Sequence, residues 1–418
     1  MCDTASDDEV VKDTEFSWNS LKSEIDSFSC LSEISILEQA LTTDVQSDDA
    51  GDEDDGQDGI NLDHPESSAL MVCHSEENEE VVDETLLPEK LRNKKWIIGN
   101  FLGKGSYFHV YQAYADGILL AIRKRHLLNR RNVLSTSSCR EIEHEYQAQR
   151  KHVINVLSKI GCHDNIAAFL GFRRVGILWE MFVEYAAGGS LFHEIQIHRK
   201  QNRRLPEETI TSRFRDLIRA VAYLHEHNIA HLDIKAENCL LTKWGSLKLS
   251  DFDYAVIFKS DTVVLPHKIG TKAYAPPERF ISCINSLSFR VNPASLRTVP
   301  FFLQLRDLPS PRRPPCADVW SCGIILHLLI AFQTPWPGAH IDNCSYAEWH
   351  EYINRRRFGR IRGVFPLKLP VGTKSKFSEL LENLLETSED RRIKIAEVVD
   401  ICWLKNEAHC KPFVVGEN

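Results

Sequence analysis

Three side chains that can handle protons and metal ions lie close together in the middle of the chain. Asp233 and Asn238 occur in HLDIKAENCLL at 231–241, and Asp251 follows in LKLSDFD at 247–253. A carboxylate at Asp233 can accept the proton of an attacking hydroxyl. An amide oxygen at Asn238 and a carboxylate at Asp251 can hold Mg²⁺ against nucleotide phosphates. The spacing therefore predicts metal-assisted phosphoryl transfer from a nucleotide.

A cation accompanies these groups. Lys235 lies two residues after Asp233, and its ammonium can neutralise the phosphoryl group as it moves in the transition state. Upstream, Asp116-Gly117 is a two-residue hairpin signal before the strand-like run ILLAIR. Gly103 and Gly105 allow backbone amides to approach phosphates without a side-chain collision. A β-rich segment whose glycines can approach phosphates is therefore predicted upstream of Asp233.

Four further segments occur in the order of a known family. LGKGSYFHV at 102–110, LLAIRK at 119–124, GTKAYAPPE at 270–278 and DVWSCGIILHLLI at 318–330 resemble parts of eukaryotic protein kinases. These parts are the glycine-rich loop, the third strand, the end of the activation segment and a buried large-lobe helix. GNFLGKGSY, VEYAAGGSLF, DVWSCGI and TPWPGAHIDNCSYAEWHEY are similar to the checkpoint kinases of the DNA-damage response. This resemblance covers about residues 93–405.

The resemblance implies an α+β, two-lobed protein-kinase fold, with a small mostly-β lobe carrying one main helix and a large mostly-α lobe. It implies ATP and Mg²⁺ as cofactors and transfer of the γ-phosphate to Ser or Thr of protein substrates, because D-x-K-x-x-N starting at Asp233 is the serine/threonine pattern. Glu237 lies where related kinases often recognise a basic residue near the target. Asp318 is expected to brace the catalytic loop, and Glu278 with Arg392 to form the family's buried pair.

The resemblance also assigns a nucleotide pocket. Val110 and Ala121 are expected to enclose the adenine ring. FVEYAAGGSLF at 182–192 resembles the hinge, with Val183 beside the adenine and backbone groups from Glu184 to Ala186 binding the purine edge. The nucleotide-binding residues predicted in this way are Leu102, Gly103, Gly105, Val110, Ala121, Arg123, Glu184 and Ala186.

Arginine replaces the family's phosphate-anchoring lysine. The pattern Val-Ala-x-Lys aligns with Leu120-Ala121-Ile122-Arg123. Lys124 is adjacent, but side chains alternate between the faces of a strand, so Lys124 should point away from the nucleotide. A local bulge could instead rotate Lys124 inward. We expect Arg123 to face the site, where its guanidinium keeps the charge but is larger than an ammonium and differs in geometry.

The lysine's usual partner, a helix glutamate, has no clear counterpart. The family spacing places it at Ile154, and no acidic residue occurs from 146 to 162. Glu145 is the nearest, and it would lie about 13 Å too early along a continuous helix. Either an insertion restores Glu145 to the site or the ion pair is absent.

Three other positions depart from the family pattern. Phe108 stands at the third glycine of the loop, where it can cap the phosphates or obstruct them. Asp253 replaces the glycine after Asp251 and can add a metal ligand, repel the phosphates or face solvent. Leu232 replaces the arginine that normally reads an activation-loop phosphate. The candidate phosphosites therefore lack the arginine that would normally bind their phosphate. They are Ser260, Thr262 and Thr271.

Charge divides the 418-residue chain. Residues 1–90 carry 27 acidic and 3 basic side chains, whereas the remainder carries 32 acidic and 47 basic. A segment of this composition buries too little apolar surface to offset its ordering entropy, so we expect residues 1–92 to be largely disordered. LSEISILEQAL at 31–41 has helical apolar spacing and can form a docking helix. The arm is either a solvated tail or a segment that folds over the basic domain and slows substrate access.

The predicted domains follow from these boundaries. Between Glu278 and Asp318 lie 39 residues with clustered prolines, either a docking arm or a tolerated insertion. No counterpart of the checkpoint kinases' C-terminal regulatory region is expected. The predicted units are 1–92 (acidic arm), 93–185 (small lobe), 186–407 (large lobe, with a loop insertion at 282–315) and 408–418 (short tail).

Composition excludes several other classes. The 12 cysteines show no C-x-x-C spacing, and neither a signal peptide nor a long apolar run is evident. We therefore expect reduced thiols, a cytoplasmic or nuclear location and no membrane partner. The bases are scattered and accompany no recognition motif, so direct nucleic-acid binding is not expected. The sequence leaves the oligomeric state open, and it leaves two functions: a serine/threonine kinase, or a pseudokinase that binds partners with weak or no catalysis.

Overall fold

The chain folds into a β-rich lobe and a helical lobe with a cleft between them. This computed structural model describes residues 85–105, 108–125, 152–175, 178–258, 263–264, 270–280, 311–359 and 364–405. The predicted α+β, two-lobed fold class is confirmed. The predicted helix at 31–41, the acidic arm up to residue 84 and the short tail lie outside the described residues, as does most of the predicted insertion.

The small lobe is built on one antiparallel sheet. Its strands are β1 (Thr85–Leu86), β2 (Ile97–Lys104), β3 (Phe108–Ala115), β4 (Ile118–Arg125), β5 (Phe169–Val175) and β6 (Leu178–Glu184). Their order is β1-β5-β6-β4-β3-β2. Asp116 and Gly117 have φ of 49° and 77° and join β3 to β4 as the predicted tight hairpin, because left-handed residues match the twist of the flanking strands.

Alternation along β4 separates a core face from a cleft face. Ile118, Leu120 and Ile122 are buried in the small-lobe core, whereas Ala121 and Arg123 lie on the opposite face, as the period of two along a strand requires. Because Ala121 pairs with Val183 of β6 and Arg123 with Met181, this second face continues onto the strand that leads into the hinge.

The small lobe begins earlier than the boundary at 92/93 predicted from charge. Thr85 and Leu86 pair with Arg173 and Phe172 of β5. Leu87 and Leu91 are then fully buried on the sheet. A count of charges missed this short apolar run because Glu84 and Glu89 flank it. The end of the acidic arm is therefore part of the folded domain.

One helix, α1, has its described part at 152–160 and packs beneath the sheet. Val153 and Ile154 contact Phe172 and Met181 in a separate apolar cluster. This cluster holds the helix against β5 and β6, at the back of the cleft.

The large lobe is mostly helical. Its helices are α2 (Leu191–Lys200), α3 (Glu207–Glu226), α4 (Pro314–Ala331), α5 (Cys344–Arg357), α6 (Ser375–Leu384), α7 (Ile395–Val399) and α8 (Cys402–Lys405). Buried residues of α3 recur at spacings of three and four, from Ile210 through Phe214 and Leu217 to Leu224, as expected for a helix with one face on the core. They pack on α4.

Helix α4 runs through the centre of the large lobe. It is long and apolar enough to cross a membrane, but 83% of it is buried inside the protein, as is normal for a core helix. Pro314 and Pro315, which the sequence analysis assigned to the insertion, form its first turn, where the missing N–H groups cost nothing. The insertion therefore ends before residue 314.

Short strands line the large-lobe side of the cleft. They are β7 (Gly189–Ser190), β8 (Ile229–Ala230), β9 (Cys239–Leu241), β10 (Leu247–Leu249), β11 (Val256–Ile257), β12 (Val263–Val264) and β13 (Pro311–Arg312). β8 pairs with β11, and β9 with β10. The predicted reactive residues 231–238 and 251–253 lie in the connections between these strands, so both ladders fix the ends of the loops that carry them.

Candidate active site

The loop after β8 is held by a buried carboxylate. Asp318 of α4 is fully buried, and its two oxygens accept hydrogen bonds from the backbone N–H groups of His231 and Leu232, both at 2.8 Å. His225 Nε2 lies 3.0 Å from the same carboxylate. Leu232 takes a left-handed φ of 63°, a strained conformation that a Cβ residue keeps only when its surroundings fix it. The resemblance to protein kinases implies this bracing role for Asp318, and the geometry agrees with it.

Asp233 is surrounded by donors. Its Oδ2 lies 2.5 Å from Lys235 Nζ, and its Oδ1 accepts from the backbone N–H and the hydroxyl of Thr271 at 3.0 and 3.1 Å. Asn238 Nδ2 donates to the Asp233 backbone carbonyl at 2.9 Å. The carboxylate is thus fixed in a buried position beside a cation, an arrangement that suits a base accepting a hydroxyl proton.

The donors predicted to hold metal are of the right chemical type for Mg²⁺. Asp251 has a φ of 67°, and its Oδ1 is buried without a hydrogen-bond partner in the part of the chain that the structure describes. The preceding Ser250 N–H donates to the Asn238 backbone carbonyl at 2.9 Å, which keeps the two predicted ligands adjacent. One carboxylate and one amide oxygen fit a metal ion that takes its other ligands from water and nucleotide phosphates.

Arg123 faces the cleft and Lys124 does not. Lys124 pairs with Glu180 on the opposite face of the sheet at 2.6 Å, and β4 keeps regular register with both neighbours through Arg123 and Lys124. No bulge therefore turns Lys124 inward. Of the two cations, Arg123 occupies the phosphate-anchor position.

The guanidinium of Arg123 binds Asp253 in the connection between β10 and β11, residues 250–255, which is called the metal turn because it carries the predicted ligand Asp251. Nη1 and Nη2 donate to the two carboxylate oxygens of Asp253 at 3.3 and 2.8 Å. Nη2 also lies 3.2 Å from Asp251 Oδ1. Of the three roles considered for Asp253, the structure favours none, because the side chain forms a two-point ion pair with Arg123, the strongest geometry for these groups.

The pKa values of this cluster follow from burial and from the arginine. Burial raises the pKa of Asp253 to about 6, with the Asp251 charge adding to the rise and Arg123 opposing it. Burial also opposes ionisation of Asp251, but Arg123, with smaller contributions from His231 and Lys235, lowers its pKa below the usual value. Burial opposes the charge on Arg123 as well, yet the two carboxylates raise its pKa. The cluster thus holds two carboxyl groups and one permanent cation.

Phe108 covers this cluster from above. Its ring centroid lies 4.6 Å from Cζ of Arg123, within the range of a cation–π contact, and the side chain is buried. Gly105 N–H donates to the Phe108 carbonyl at 2.7 Å and closes the base of the glycine-rich loop. Residues 106 and 107 lie outside the described residues. The ring thus packs on the guanidinium of Arg123.

Helix α1 supplies no carboxylate to Arg123 from its described part. Ile154 stands at the position that family spacing assigns to the glutamate, and it is buried against Phe172 and Met181. Glu145 lies outside the described residues. The helix is instead tied to the metal turn by His152, whose Nε2 lies 2.7 Å from the Ala255 carbonyl.

The predicted adenine-binding residues lie along one face of the sheet. Gly103 pairs with Val110, and Ala121 pairs with Val183. At the hinge, the Glu184 backbone N–H donates to Ala168, and its side chain binds Lys248 at 3.0 Å. Glu184 is therefore held as a structural link between the lobes, while Ala186 follows it in the connecting segment. Leu102, on β2, remains exposed at the pocket edge.

Leu232 occupies an apolar site in place of the phosphate-reading arginine. It packs with Ala230, Phe258 and Ala317. Ser260 and Thr262 lie outside the described residues. Thr271, the third candidate phosphosite, is engaged with Asp233 through its hydroxyl, so it serves the catalytic loop rather than standing free for modification.

Sequence reasoning missed three partners. Asp253 was not paired with Arg123, although two departures of opposite charge near one site were a usable signal. Thr271 was considered only as a phosphosite, and its contact with Asp233 depends on a tertiary approach across 38 residues. The contact of His152 with the metal turn spans 103 residues and left no local pattern.

The comparisons with known proteins agree with this geometry. Residues 96–289 match the protein kinase domain family. The chain is 25% identical over 312 residues to the serine/threonine-protein kinase grp of Drosophila melanogaster, covering 74% of this chain and 50% of that protein. It is 30% identical over 224 residues to the serine/threonine-protein kinase chk-1 of Caenorhabditis briggsae, covering 53% and 38%.

A third relative has a name of another kind. The chain is 26% identical over 318 residues to the fatty acyl-CoA synthetase and RNA processing-associated kinase 1 of Saccharomyces cerevisiae, covering 74% of this chain and 32% of that protein. The chain thus spans half or less of the length of these three relatives. It contains a protein kinase domain of the eukaryotic superfamily and, as its motifs predicted, resembles serine/threonine kinases of the checkpoint type.

Proposed function

We propose that this protein is an ATP- and Mg²⁺-dependent serine/threonine kinase, similar to checkpoint kinases, that transfers the γ-phosphate to Ser or Thr of protein substrates. The observation that carries the proposal is the Asp233 carboxylate, buried and fixed by Lys235 and Thr271. A scaffold has no need of a base oriented in this way. The neighbouring Asn238 and Asp251 support the same function, because a binding module needs no metal ligands.

Each residue has a defined task in this proposal. Asp233 accepts the proton of the substrate hydroxyl, and Lys235 stabilises charge on the phosphoryl group as it moves. Asn238 and Asp251 hold Mg²⁺, which when bound neutralises charge on the nucleotide phosphates. Arg123 orients those phosphates from the small lobe. The adenine ring occupies the face formed by Val110, Ala121 and Val183, with hinge backbone groups up to Ala186 beside it.

A basic substrate is proposed for the same site. Glu237 is exposed beside the catalytic loop, so its carboxylate is available to a cationic residue near the target Ser or Thr. The proposed location is the cytoplasm or nucleus, where such substrates and Mg²⁺-ATP occur together.

The second candidate is a pseudokinase, and one observation favours it. Arg123 gives both terminal nitrogens to Asp253 while Phe108 covers its face. If this cluster stays closed in the presence of nucleotide, phosphates have no anchor and the protein acts through its surfaces.

Radiolabelled phosphoryl transfer separates the two candidates. The full chain is incubated with labelled Mg²⁺-ATP and a peptide library with either basic or acidic residues around Ser or Thr, beside Asp233→Asn as a near-isosteric control. We expect transfer by the native protein and a loss of about 10²-fold or more in the control, the usual contribution of a positioned base. Equal labelling by both would contradict the proposed kinase, and preference for acidic peptides would contradict the role of Glu237.

A further inference from the structure

The cluster at the back of the cleft joins the two lobes through one ion pair. Arg123 belongs to β4 of the small lobe, whereas Asp253 lies in the metal turn of the large lobe, 130 residues later. Both side chains are largely buried, with 13% and 11% of their surface exposed. A pair this buried is sensitive to loss of either member, because the remaining buried charge loses its main partner.

The donors of the guanidinium can be accounted for individually. Nη1 donates to Asp253 and lies 3.8 Å from the sulfur of Met181. Nη2 donates to Asp253 and approaches Asp251 Oδ1 at 3.2 Å. The contact with Asp251 is close but not aligned as a hydrogen bond, since that oxygen has no such partner among the described residues. The Asp253 bonds are therefore the firm ones and the Asp251 contact is the weak one.

The described part of helix α1 presents no competing carboxylate. Ile154 fills the expected place, and burial among Phe172 and Met181 makes that place unsuited to a charge. Glu180, the nearest acid on β6, is engaged on the other face of the sheet with Lys124 and Arg173. Asp253 is thus the residue positioned to serve as the counter-ion of Arg123.

We propose that Asp253 is a positioning residue that holds Arg123 at the phosphate-anchor position, in place of a carboxylate on helix α1. This inference rests on the proposed function in one respect: the ligand that Arg123 serves is a nucleotide phosphate. Because Asp253 lies two residues after Asp251, one turn carries both the residue that holds Arg123 and the proposed metal ligand. If Asp251 held the metal, its weak contact with Arg123 would be given up, and one Nη2 N–H would become available to a phosphate oxygen.

Two properties follow for nucleotide binding. Asp253 keeps Arg123 oriented through both of its firm hydrogen bonds, so loss of its charge should weaken Mg²⁺-ATP binding rather than strengthen it. The effect should require Arg123, because Asp253 acts only through that side chain. A residue with a merely structural role would show neither dependence.

The test is a double-mutant cycle on nucleotide affinity in the full chain. Displacement of a fluorescent ATP analogue gives the Kd for Mg²⁺-ATP for the native protein, Arg123→Met, Asp253→Asn and the double variant. We expect Asp253→Asn to raise the Kd about tenfold, the size of one charge-assisted hydrogen bond. The double variant should be no weaker than Arg123→Met alone, and Asp253→Glu should restore part of the affinity.

Two controls test whether a change in Kd is specific to Asp253. Lys124→Gln, on the other face of the sheet, should leave the Kd unchanged. Ligand-free thermal unfolding of each variant tests folding. If Asp253→Asn alone fails to fold, the double variant still provides a test, because it removes both members of the ion pair. In steady-state assays the KM for ATP should rise in Asp253→Asn while the KM for peptide stays constant.

The outcomes separate this inference from the proposed function. Asp253-dependent nucleotide binding without phosphoryl transfer would support the positioning role and reject the kinase. Transfer with a Kd indifferent to Asp253 would support the kinase and reject the positioning role. Tighter binding by Asp253→Asn, or losses that simply add in the double variant, would also overturn the inference, as would a native protein with no affinity for Mg²⁺-ATP.

Discussion

On the large-lobe side of the cleft, the charged groups have the partners that the kinase pattern assigns to them. Asp318 accepts two backbone N–H groups, and Glu278 binds Arg392 through two hydrogen bonds at 2.8 and 3.0 Å. On the small-lobe side, the anchor is an arginine and its partner comes from the opposite lobe. Relative to the kinase pattern, the charge pairs are therefore retained on the large-lobe side of the cleft and rearranged on the small-lobe side.

The difference teaches which kinds of contact can be replaced. Asp318 binds backbone amides of a strained loop, and no other residue can take over such contacts without moving the chain. The anchor of the small lobe is paired side chain to side chain. A carboxylate from any element that reaches the same point satisfies it, since the Coulomb attraction depends on distance and burial and not on which element supplies the charge.

The largest loss of stability should come from breaking a charge pair on the retained, large-lobe side. Arg392→Ala should lower the free energy of unfolding by about 3–5 kcal/mol, because Glu278 would remain buried without its partner. Urea unfolding followed by circular dichroism measures it. Arg355→Ala is the matched control, since Arg355 pairs with Glu351 on an exposed helix face and its loss should change stability by less than about 0.5 kcal/mol. Equal losses would remove the distinction between the two kinds of pair.

Low pH should also destabilise the large lobe. His327, buried in α4, donates from Nδ1 to the Gln333 carbonyl at 2.9 Å, and burial lowers its pKa to about 4. The folded state disfavours the protonated ring, so stability is full above the unfolded pKa of about 6.5 and is lost as pH falls towards 4. The loss should reach about 3 kcal/mol.

Stability measured by urea at a series of pH values checks this prediction. His327→Gln keeps a donor for the Gln333 carbonyl but does not titrate, so the part of the slope between pH 6.5 and 4 that belongs to His327 should disappear. An unchanged slope would assign the acid sensitivity to other groups.

The rearranged side can be tested by returning a carboxylate to the helix. Ile154→Glu should cost about 2 kcal/mol of stability, because a charge is buried among apolar groups while Arg123 is already paired. In the Asp253→Gly background the same substitution should cost at least about 1 kcal/mol less, since Arg123 can then turn to the new carboxylate. Identical costs in both backgrounds would show that the helix position cannot reach the anchor.

The smallest effect concerns the ring above the anchor. Phe108→Leu keeps apolar bulk but removes the π face, and it should cost about 1 kcal/mol of stability. In the Arg123→Met background the cost should fall to near zero. Urea midpoints of the four proteins give this coupling, and a cost independent of Arg123 would reduce Phe108 to a packing residue.

The sequence alone predicts much of the fold, because its evidence is local. Asp116-Gly117 specifies a hairpin, and alternation along β4 correctly places Arg123, not Lys124, on the cleft face. The grouping of Asp233, Lys235 and Asn238 also lies within one short segment. Thr85–Leu86 was assigned to the acidic arm because composition does not reveal strand pairing. The two residues pair with a strand nearly 90 positions away.

The site was less predictable where it depends on charges from distant segments. Arg123, Ile154 and Asp253 were each noticed as separate departures. Arg123 and Asp253 compensate each other only because they lie close together across the cleft. The linear sequence does not show that distance. The same holds for Thr271, whose hydroxyl reaches Asp233 only after the activation segment has folded.

Strand β1 also affects how the protein behaves in solution. It covers the outer edge of β5, whose backbone groups would otherwise be free to pair with a strand from another molecule. A fragment that starts at residue 93 would expose that edge, together with the apolar surface beneath Leu87 and Leu91. We expect such a fragment to self-associate more readily than one that keeps Thr85–Leu86 and the two leucines.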